Sequence, residues 1–261
     1  TKPLEEAVKS KKIGHAYLFA GTRGLGKTSV ARIFASAIGC NEHDLDEVDG
    51  ASNNSVEDIR ALSEGVYTLP FESPYKVYIL DEVHMLSKSA WNAFLKTLEE
   101  PPAHAIFILA TTELEKVPET VQSRCQVFEF KKPTRAVLAK MTMAIAKKEG
   151  YTLAPDAADL IALLGDGSYR DALSVLQKVF SASTDTSTSL SAGKKLTRIE
   201  VEKATGAPRQ EQVHALISAL AEGERGKALS AIERVAKASV DMKLFLELVL
   251  EALRATLLIR Y

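Results

Sequence analysis

Two hydrophobic rhythms share this chain. In the first half, short unbroken apolar runs alternate with longer segments whose apolar residues return every three or four positions. Tyr17-Leu18-Phe19-Ala20, the stretch 75–80 (broken only by Lys76) and Ala105-Ile106-Phe107-Ile108-Leu109-Ala110 have strand length. Runs of this kind are expected where a strand is buried on both faces, as in a parallel sheet. Leu45-Asp46-Glu47-Val48-Asp49 and Cys125-Gln126-Val127-Phe128-Glu129-Phe130 read as further strands. Between them lie a short helix and basic turn over 1–13, an amphipathic helix over 28–38, and a helix carrying Val56, Ile59, Arg60 and Ser63. A further helix begins at Ser87, runs through Trp91, Phe94, Leu95 and Leu98, and is stopped by Pro101-Pro102. Strands alternating with helices predict a parallel α/β sheet with right-handed crossovers.

Lys131-Lys132-Pro133 marks a change of rhythm, and no strand is expected beyond it. Helices are predicted over 134–148, 155–164 and 168–180, followed by a Ser/Thr-rich loop over 181–195. Thr197-Arg198-Ile199-Glu200 has capping-box spacing and starts a short helix ending near Gly206. Val213, Leu216, Ile217 and Leu220 then share one helix face. In the last helix Lys243, Glu247, Glu251 and Arg254 form one polar stripe, and the rest is apolar. A helix of that kind is expected to pack against other subunits, with an internal core helix as the alternative. The organisation read from this pattern is an α/β domain over 1–131, a helical segment over 132–206 and a second helical segment over 207–261.

Composition narrows the picture only a little. The 33 basic and 34 acidic residues among 261 leave a net charge of −1, which neither demands nor excludes nucleic acid. Cys40 and Cys125 are too few for a disulfide framework, consistent with a reducing cytoplasm. The longest apolar stretch, 244–259, is interrupted by Glu247, Glu251 and Arg254, making it a poor membrane span. With no signal peptide in view, a soluble cytoplasmic protein is expected.

The chemistry is concentrated after the first strand. Gly21-Thr22-Arg23-Gly24-Leu25-Gly26-Lys27-Thr28 fits G-x-x-x-x-G-K-[ST] between a strand and a helix. In this pattern glycines let backbone N–H groups close around phosphate, the lysine reaches the terminal phosphates and the hydroxyl meets Mg²⁺. Ser29 extends the same phosphate-binding group. A buried parallel strand ending in Asp81-Glu82 has no packing reason for two carboxylates. Asp81 is placed to hold a metal's water shell and Glu82 to polarise an attacking water. Thr111-Thr112, at the end of the neighbouring strand, offers a hydroxyl between this pair and the γ-phosphate.

Arg124, in Ser123-Arg124-Cys125, and Arg170, in Gly167-Ser168-Tyr169-Arg170-Asp171-Ala172, carry planar permanent charge. Spacing alone reads both as surface or structural residues. Cys40-Asn41-Glu42-His43 resembles half a metal site without its second pair. His84 reads as structural. Ser52-Asn53-Asn54-Ser55 is either a helix cap or a contact for DNA phosphate.

Taken together these motifs resemble the AAA+ ATPases, and within them the bacterial clamp loader motors of the DNA polymerase III gamma/tau family. The resemblance rests on His15-Ala16-Tyr17-Leu18-Phe19, the phosphate loop, Asp81-Glu82-Val83-His84-Met85-Leu86 and Leu95-Lys96-Thr97-Leu98-Glu99-Glu100-Pro101-Pro102. Leu109-Ala110-Thr111-Thr112, Ser123-Arg124-Cys125 and Gly167-Ser168-Tyr169-Arg170-Asp171-Ala172-Leu173-Ser174 complete it, in family order. It covers most of 13–180 and is weaker afterwards.

The resemblance implies an AAA+ ATPase domain followed by a helical lid and a short helical collar. It also implies ATP and Mg²⁺ as ligands, with Lys27 and Thr28 at phosphate and metal and Asp81-Glu82 as the acidic pair. Thr112 would sense the γ-phosphate, Arg124 would be an arginine finger acting on a neighbouring subunit's ATP, and Arg170 would sense nucleotide from the lid. The implied partners are other clamp loader subunits in a hetero-oligomer, with a pentamer expected, the sliding clamp and primer–template DNA. The implied activity is ATP hydrolysis within a DNA polymerase III holoenzyme. The alternatives are another AAA+ DNA motor of the branch-migration type, a non-catalytic scaffold subunit, or, more distantly, a small-molecule kinase.

Three features depart from the family pattern. Of a Cys-rich zinc module only Cys40 matches a ligand, so zinc would rest on an incomplete set. The segment that helps enclose adenine is not seen before the first helix, and the collar looks short.

Overall fold

In the computed structural model of the chain, which describes residues 2–184, 195–238 and 240–259, every residue of the strand Ala105–Thr111 is buried. This strand, β4, is the middle of a five-stranded parallel sheet of order β2-β3-β4-β1-β5, formed with β1 (Ala16–Ala20), β2 (Leu45–Asp49), β3 (Lys76–Asp81) and β5 (Gln126–Glu129). Unbroken apolar runs occur in β1, β3 and β4 because each of them has neighbours on both sides and helices over both faces. Side chains alternate along a strand, so the two faces take alternate residues. Leu18, Tyr78, Leu80, Phe107 and Leu109 pack with Ile59 of α3 (Val56–Gly65) and with Trp91, Phe94 and Leu98 of α4 (Lys88–Glu99). Tyr17, Phe19, Ile79, Ile106 and Ile108 pack on the opposite face with Leu4 of α1 (Lys2–Ser10) and Phe34 of α2 (Lys27–Ala37). Edge-to-face ring pairs, Phe94–Phe107 at 5.3 Å and Tyr17–Phe34 at 4.9 Å, mark the two cores.

Edge position explains the two mixed strands. β2 and β5 each have one neighbour, and their residues are half-buried or exposed, which is why acidic and apolar residues intermix there. Before β2, the buried Asp44 carboxylate accepts N–H bonds from Phe71, Glu72 and Ser73 at 2.6, 3.0 and 2.9 Å. These bonds hold its carboxyl well below the usual carboxylate range. They also anchor a loop on which Tyr67, Leu69 and Phe71 are exposed.

Strand register brings one edge of the sheet into focus. Ala20 of β1 lies beside Thr111 of β4, and Leu80 of β3 beside Leu109. The residues that follow, Gly21, Asp81-Glu82 and Thr112, therefore emerge at the same C-terminal edge. A short helix, α5 (Glu119–Gln122), leads from β4 to β5.

The chain divides into two compact units, Thr1–Pro133 and Thr134–Tyr261. The second contains α6 (Arg135–Lys148), α7 (Pro155–Leu164), α8 (Tyr169–Thr184), α9 (Arg198–Thr205), α10 (Gln210–Ala221), α11 (Arg225–Lys237) and α12 (Met242–Ile259). Contrary to the expectation of no strand after 133, it also holds a two-residue parallel pair, β6 (Thr152–Leu153) with β7 (Lys195–Leu196). Two residues are too few for an alternating pattern to register in a sequence. The helix expected to stop at 180 continues to Thr184, and the rest of the Ser/Thr-rich stretch, 185–194, lies outside the described residues. A capping box at Thr197 and Glu200 opens α9, and Gly206, at φ 71°, ends it.

One hydrophobic cluster runs through α6 to α12, joining Leu138, Leu160, Leu176, Val201, Val213, Leu216, Phe245 and Leu248. The face predicted on α10 is only partly internal, since Leu220 is half exposed. In α12, Phe245, Leu248 and Val249 point inward and Leu246, Leu250 and Leu257 are exposed; Glu251 forms an ion pair with Arg135. Among the described residues no helix is long and apolar enough to cross a membrane.

Candidate nucleotide site

The phosphate loop leaves β1 at Gly21 and becomes α2 at Lys27. Gly21 has φ 151°, and a Cβ there would lie 2.5 Å from the Phe130 carbonyl oxygen, so the turn off the strand excludes any side chain. Gly24 and Gly26 also have positive φ, 78° and 88°. That backbone is nearly free for glycine and strained for other residues. Leu25 plugs into the core at 5% exposure, while Thr22, Arg23 and Ser29 are exposed. Lys27 is also 5% exposed, and its ammonium donates to the Gly21 and Thr22 carbonyls at 2.7 and 3.3 Å. The cation is thus held over the loop at the positive end of α2, the arrangement that recruits phosphate.

Across this edge, the Thr28 hydroxyl donates to Asp81 Oδ2 at 2.6 Å, joining the start of α2 to the end of β3. Two hard oxygen donors converge there, which suits Mg²⁺: that ion takes one or two protein oxygens and completes its shell with water and phosphate. Glu82 follows in the left-handed region, φ 49° and ψ 41°, with its N–H donating to Asp81 Oδ1 at 2.9 Å. A non-glycine residue held there stores strain of the kind that gathers at functional sites. The Thr112 hydroxyl donates to Glu82 Oε2 at 3.1 Å. Thr111, by contrast, is fully buried and its hydroxyl serves the Glu113 backbone.

Of the other residues singled out from sequence, Arg124 lies beyond α5. Its guanidinium donates to Glu99 Oε1 at 2.7 Å and to the Thr120 carbonyl at 2.6 Å, and its side chain is one-third exposed. Arg170 is exposed in the first turn of α8, in the second unit. In the Ser52–Ser55 turn, Ser55 forms a capping box with Asp58, while Ser52 and Asn53 bond Asp49.

The suggestion of zinc at Cys40 does not fit the structure. The Cys40 thiol is buried with α2, donates to the Asn41 and Asp44 carbonyls, and is pushed up by burial. Among the described residues no group of three or more His, Cys, Asp and Glu could hold a metal, whereas a structural zinc needs four ligands. Cys125 belongs to a different cluster, and burial pushes its thiol up to about 12.

Two residues gain meaning only in three dimensions. His84 contacts Glu82 and Glu113, although only its closeness to the acidic pair hinted at this. Gly50 packs against the backbone of Asp81 and Glu82, and nothing in the sequence pointed to it.

A family model described as DNA polymerase III, delta subunit, matches residues 1–55 and 49–134. The chain is 46% identical over 206 residues to DNA polymerase III subunit tau of Bacillus subtilis, covering 71% of this chain and 37% of the relative. It is 36% identical over 256 residues to subunit tau of Escherichia coli, covering 90% of this chain and 38% of the relative. With subunit gamma of Buchnera aphidicola subsp. Schizaphis graminum the identity is 33% over 264 residues, covering 92% and 69%. The chain thus spans well under half of the two tau relatives.

Among solved structures, the Holliday junction branch migration motor RuvB of Thermotoga maritima superposes with a TM-score of 0.63 at 22% identity, covering 83% of this chain and 72% of that one. A gamma subunit-related protein of Thermotoga maritima gives 0.53 at 18% identity, covering 94% and 82%. These two likenesses establish a shared fold.

Proposed function

The chain belongs to the gamma/tau family of DNA polymerase III subunits, and from that premise we propose that it is an ATP-hydrolysing motor of a bacterial clamp loader. One observation carries this reading. A lysine-bearing phosphate loop, a Thr28–Asp81 bond of 2.6 Å and a Thr112–Glu82 bond of 3.1 Å share one edge of a single parallel sheet.

In the proposed reaction Lys27 and the start of α2 bind and orient the phosphates of ATP. Thr28 and Asp81 would hold a magnesium ion, which when bound neutralises charge on the phosphates. Glu82 orients a water and draws its proton, while Thr112 keeps the Glu82 carboxylate turned toward the reacting phosphate. Arg124 is assigned to the ATP of an adjacent subunit. Its place in a loop after β4, bonded to Glu99 rather than to the phosphate loop, is compatible with a role in trans. Arg170 is assigned to nucleotide sensing on the resemblance alone. The partners proposed are further clamp loader subunits in a hetero-oligomer, a sliding clamp and primer–template DNA. Contact with DNA would be made through its phosphates and would therefore be salt-dependent.

The test is steady-state ATP hydrolysis by the full-length protein in its assembly, alone, with primed DNA, with a sliding clamp, and with both, using Lys27→Ala as the binding-deficient control. Stimulation by clamp and DNA together, absent in Lys27→Ala, is the expected result. Turnover indifferent to both would remove the clamp loader assignment.

A further inference from the structure

His84 sits two residues after Glu82, on a single 3-10 turn (Val83–Met85) that the buried Val83 and Leu86 hold against the core. Its side chain is only 8% exposed, and each ring nitrogen faces acceptors. Nδ1 is 3.4 Å from Glu82 Oε2 and 3.2 Å from Thr111 Oγ1; Nε2 is 3.3 Å from Glu113 Oε1. The neighbouring bonds fix the ring's orientation. The Thr111 hydroxyl donates its hydrogen to the Glu113 carbonyl at 3.2 Å and accepts the Glu113 N–H at 3.0 Å. Its oxygen therefore offers the ring only an acceptor, and Nδ1 carries the hydrogen.

We propose that His84 is a positioning residue for hydrolysis, clamping the Glu82 carboxylate to the end of β4. The inference rests on the reading of Glu82 as the carboxylate that activates water. The Nδ1–H, bonded to Thr111 Oγ1, lies 3.4 Å from Oε2 of Glu82, the same oxygen to which the Thr112 hydroxyl donates, and this leaves Oε1 for the water. The clamp also counters the strain of the left-handed backbone at Glu82, which persists only where its surroundings over-determine it. On the far side Glu113 is itself held, since Lys116 lies 2.8 Å from its other oxygen. Lys116 and, to a smaller extent, His84 keep the Glu113 carboxyl below its ordinary range. The ring thus joins the strand end bearing Glu82 to the turn that follows Thr112, so that the two groups keep one mutual geometry.

A histidine that merely fills space would give the same burial, so the test separates the two ring nitrogens. Asparagine places its side-chain nitrogen near Nδ1, and glutamine places its own near Nε2. In the full-length protein within its assembly, His84→Ala is expected to lower kcat about 10- to 100-fold, within the range of a mispositioned general base, while the nucleotide Kd moves less than about twofold. His84→Asn should recover to within about fivefold of the parent and His84→Gln should not, because only asparagine restores an N–H donor at the Nδ1 position, beside Thr111 and Glu82. In a Glu82→Gln background His84→Ala should cost nothing more, since the carboxylate it positions is gone.

Normal turnover by His84→Ala, an equal loss in the Glu82→Gln background, or recovery by glutamine but not asparagine would each overturn the proposal. If the alanine variant fails to fold, as judged by thermal unfolding, the Asn–Gln pair still decides. Glu82→Gln with parental turnover would overturn the reading of Glu82 itself, and the inference with it. An inactive Glu82→Gln beside a normal His84→Ala would overturn the inference alone.

Discussion

Gly50 offers a test of whether the end of β3 is held to catalytic tolerance, because it touches the acidic pair without contributing a side chain. Its N–H donates to the Asp81 carbonyl at 2.8 Å. A Cβ added there would lie 2.9 Å from the Asp81 carbonyl oxygen and 3.0 Å from that of Glu82, and both neighbours are backbone that cannot swing aside. Ordinary contact begins near 3.4 Å, so in Gly50→Ala the strand end must retreat by about 0.5 Å. A comparable shift of the Glu82 side chain stretches its 3.1 Å bond to Thr112 to about 3.6 Å, outside hydrogen-bond range.

If misplacement by about 1 Å costs about 100-fold, half of that costs about tenfold, or ~1.4 kcal/mol of barrier. Overpacking adds about 1–3 kcal/mol of lost stability. The phosphate loop is untouched, so the nucleotide Kd should change less than about threefold. Phosphate release under saturating ATP, fluorescent-nucleotide titration and urea unfolding measure the three quantities. A Gly50→Ala protein with parental kcat and an unchanged unfolding midpoint would refute the idea that this glycine sets the position of Asp81 and Glu82.

Other substitutions probe other parts of the molecule. Arg124→Ala should leave stability nearly unchanged, because its partner Glu99 is half exposed and such pairs are worth roughly 0–1 kcal/mol. Turnover of the assembly should nonetheless fall about 1,000-fold with nucleotide binding intact; normal turnover would dismiss the finger role. Arg170→Ala tests nucleotide sensing directly, and parental Kd and kcat together would remove Arg170 from that role. Gly165→Ala places a Cβ 2.7 Å from that of Ala172, so it should destabilise the second unit by about 1–3 kcal/mol; an unchanged denaturation midpoint would contradict this. Asp44→Asn should lower the urea midpoint at neutral pH. The folded carboxyl titrates below its unfolded value of about 3.9, so its stabilising contribution is complete above that value and is lost as pH falls through the lower folded value. The gap between parent and variant should therefore narrow below about pH 4, and a gap constant down to pH 2.5 would rule out the carboxylate as its source.

Periodicity made the sheet legible because β1, β3 and β4 are buried on both faces, and burial on both faces calls for an apolar residue at nearly every position. Spacing made the phosphate loop legible, since a glycine-bracketed turn running into a lysine and threonine is a local structure that its own residues specify. The Ser87 and Thr197 caps were readable for the same reason. The β6–β7 pair was hidden because two residues hold no period, and the extension of α8 to Thr184 because three of the four residues in its last turn, 181–184, are Ser or Thr.

Local order along the chain therefore identified the strands of the five-stranded sheet, the loop and the acidic pair, each a property of neighbouring residues. What it left undetermined was distance between elements. Only the tertiary structure decided that Thr28 reaches Asp81, that the Thr112 hydroxyl bonds Glu82, and that His84 lies between two carboxylates. It likewise decided that Gly50 abuts the end of β3 and that Cys40 is packed in a core rather than gathered into a metal site. Side-chain chemistry can be read from one residue at a time, but a reacting geometry depends on where separate strands end relative to one another, and that is set by the packing of the whole sheet.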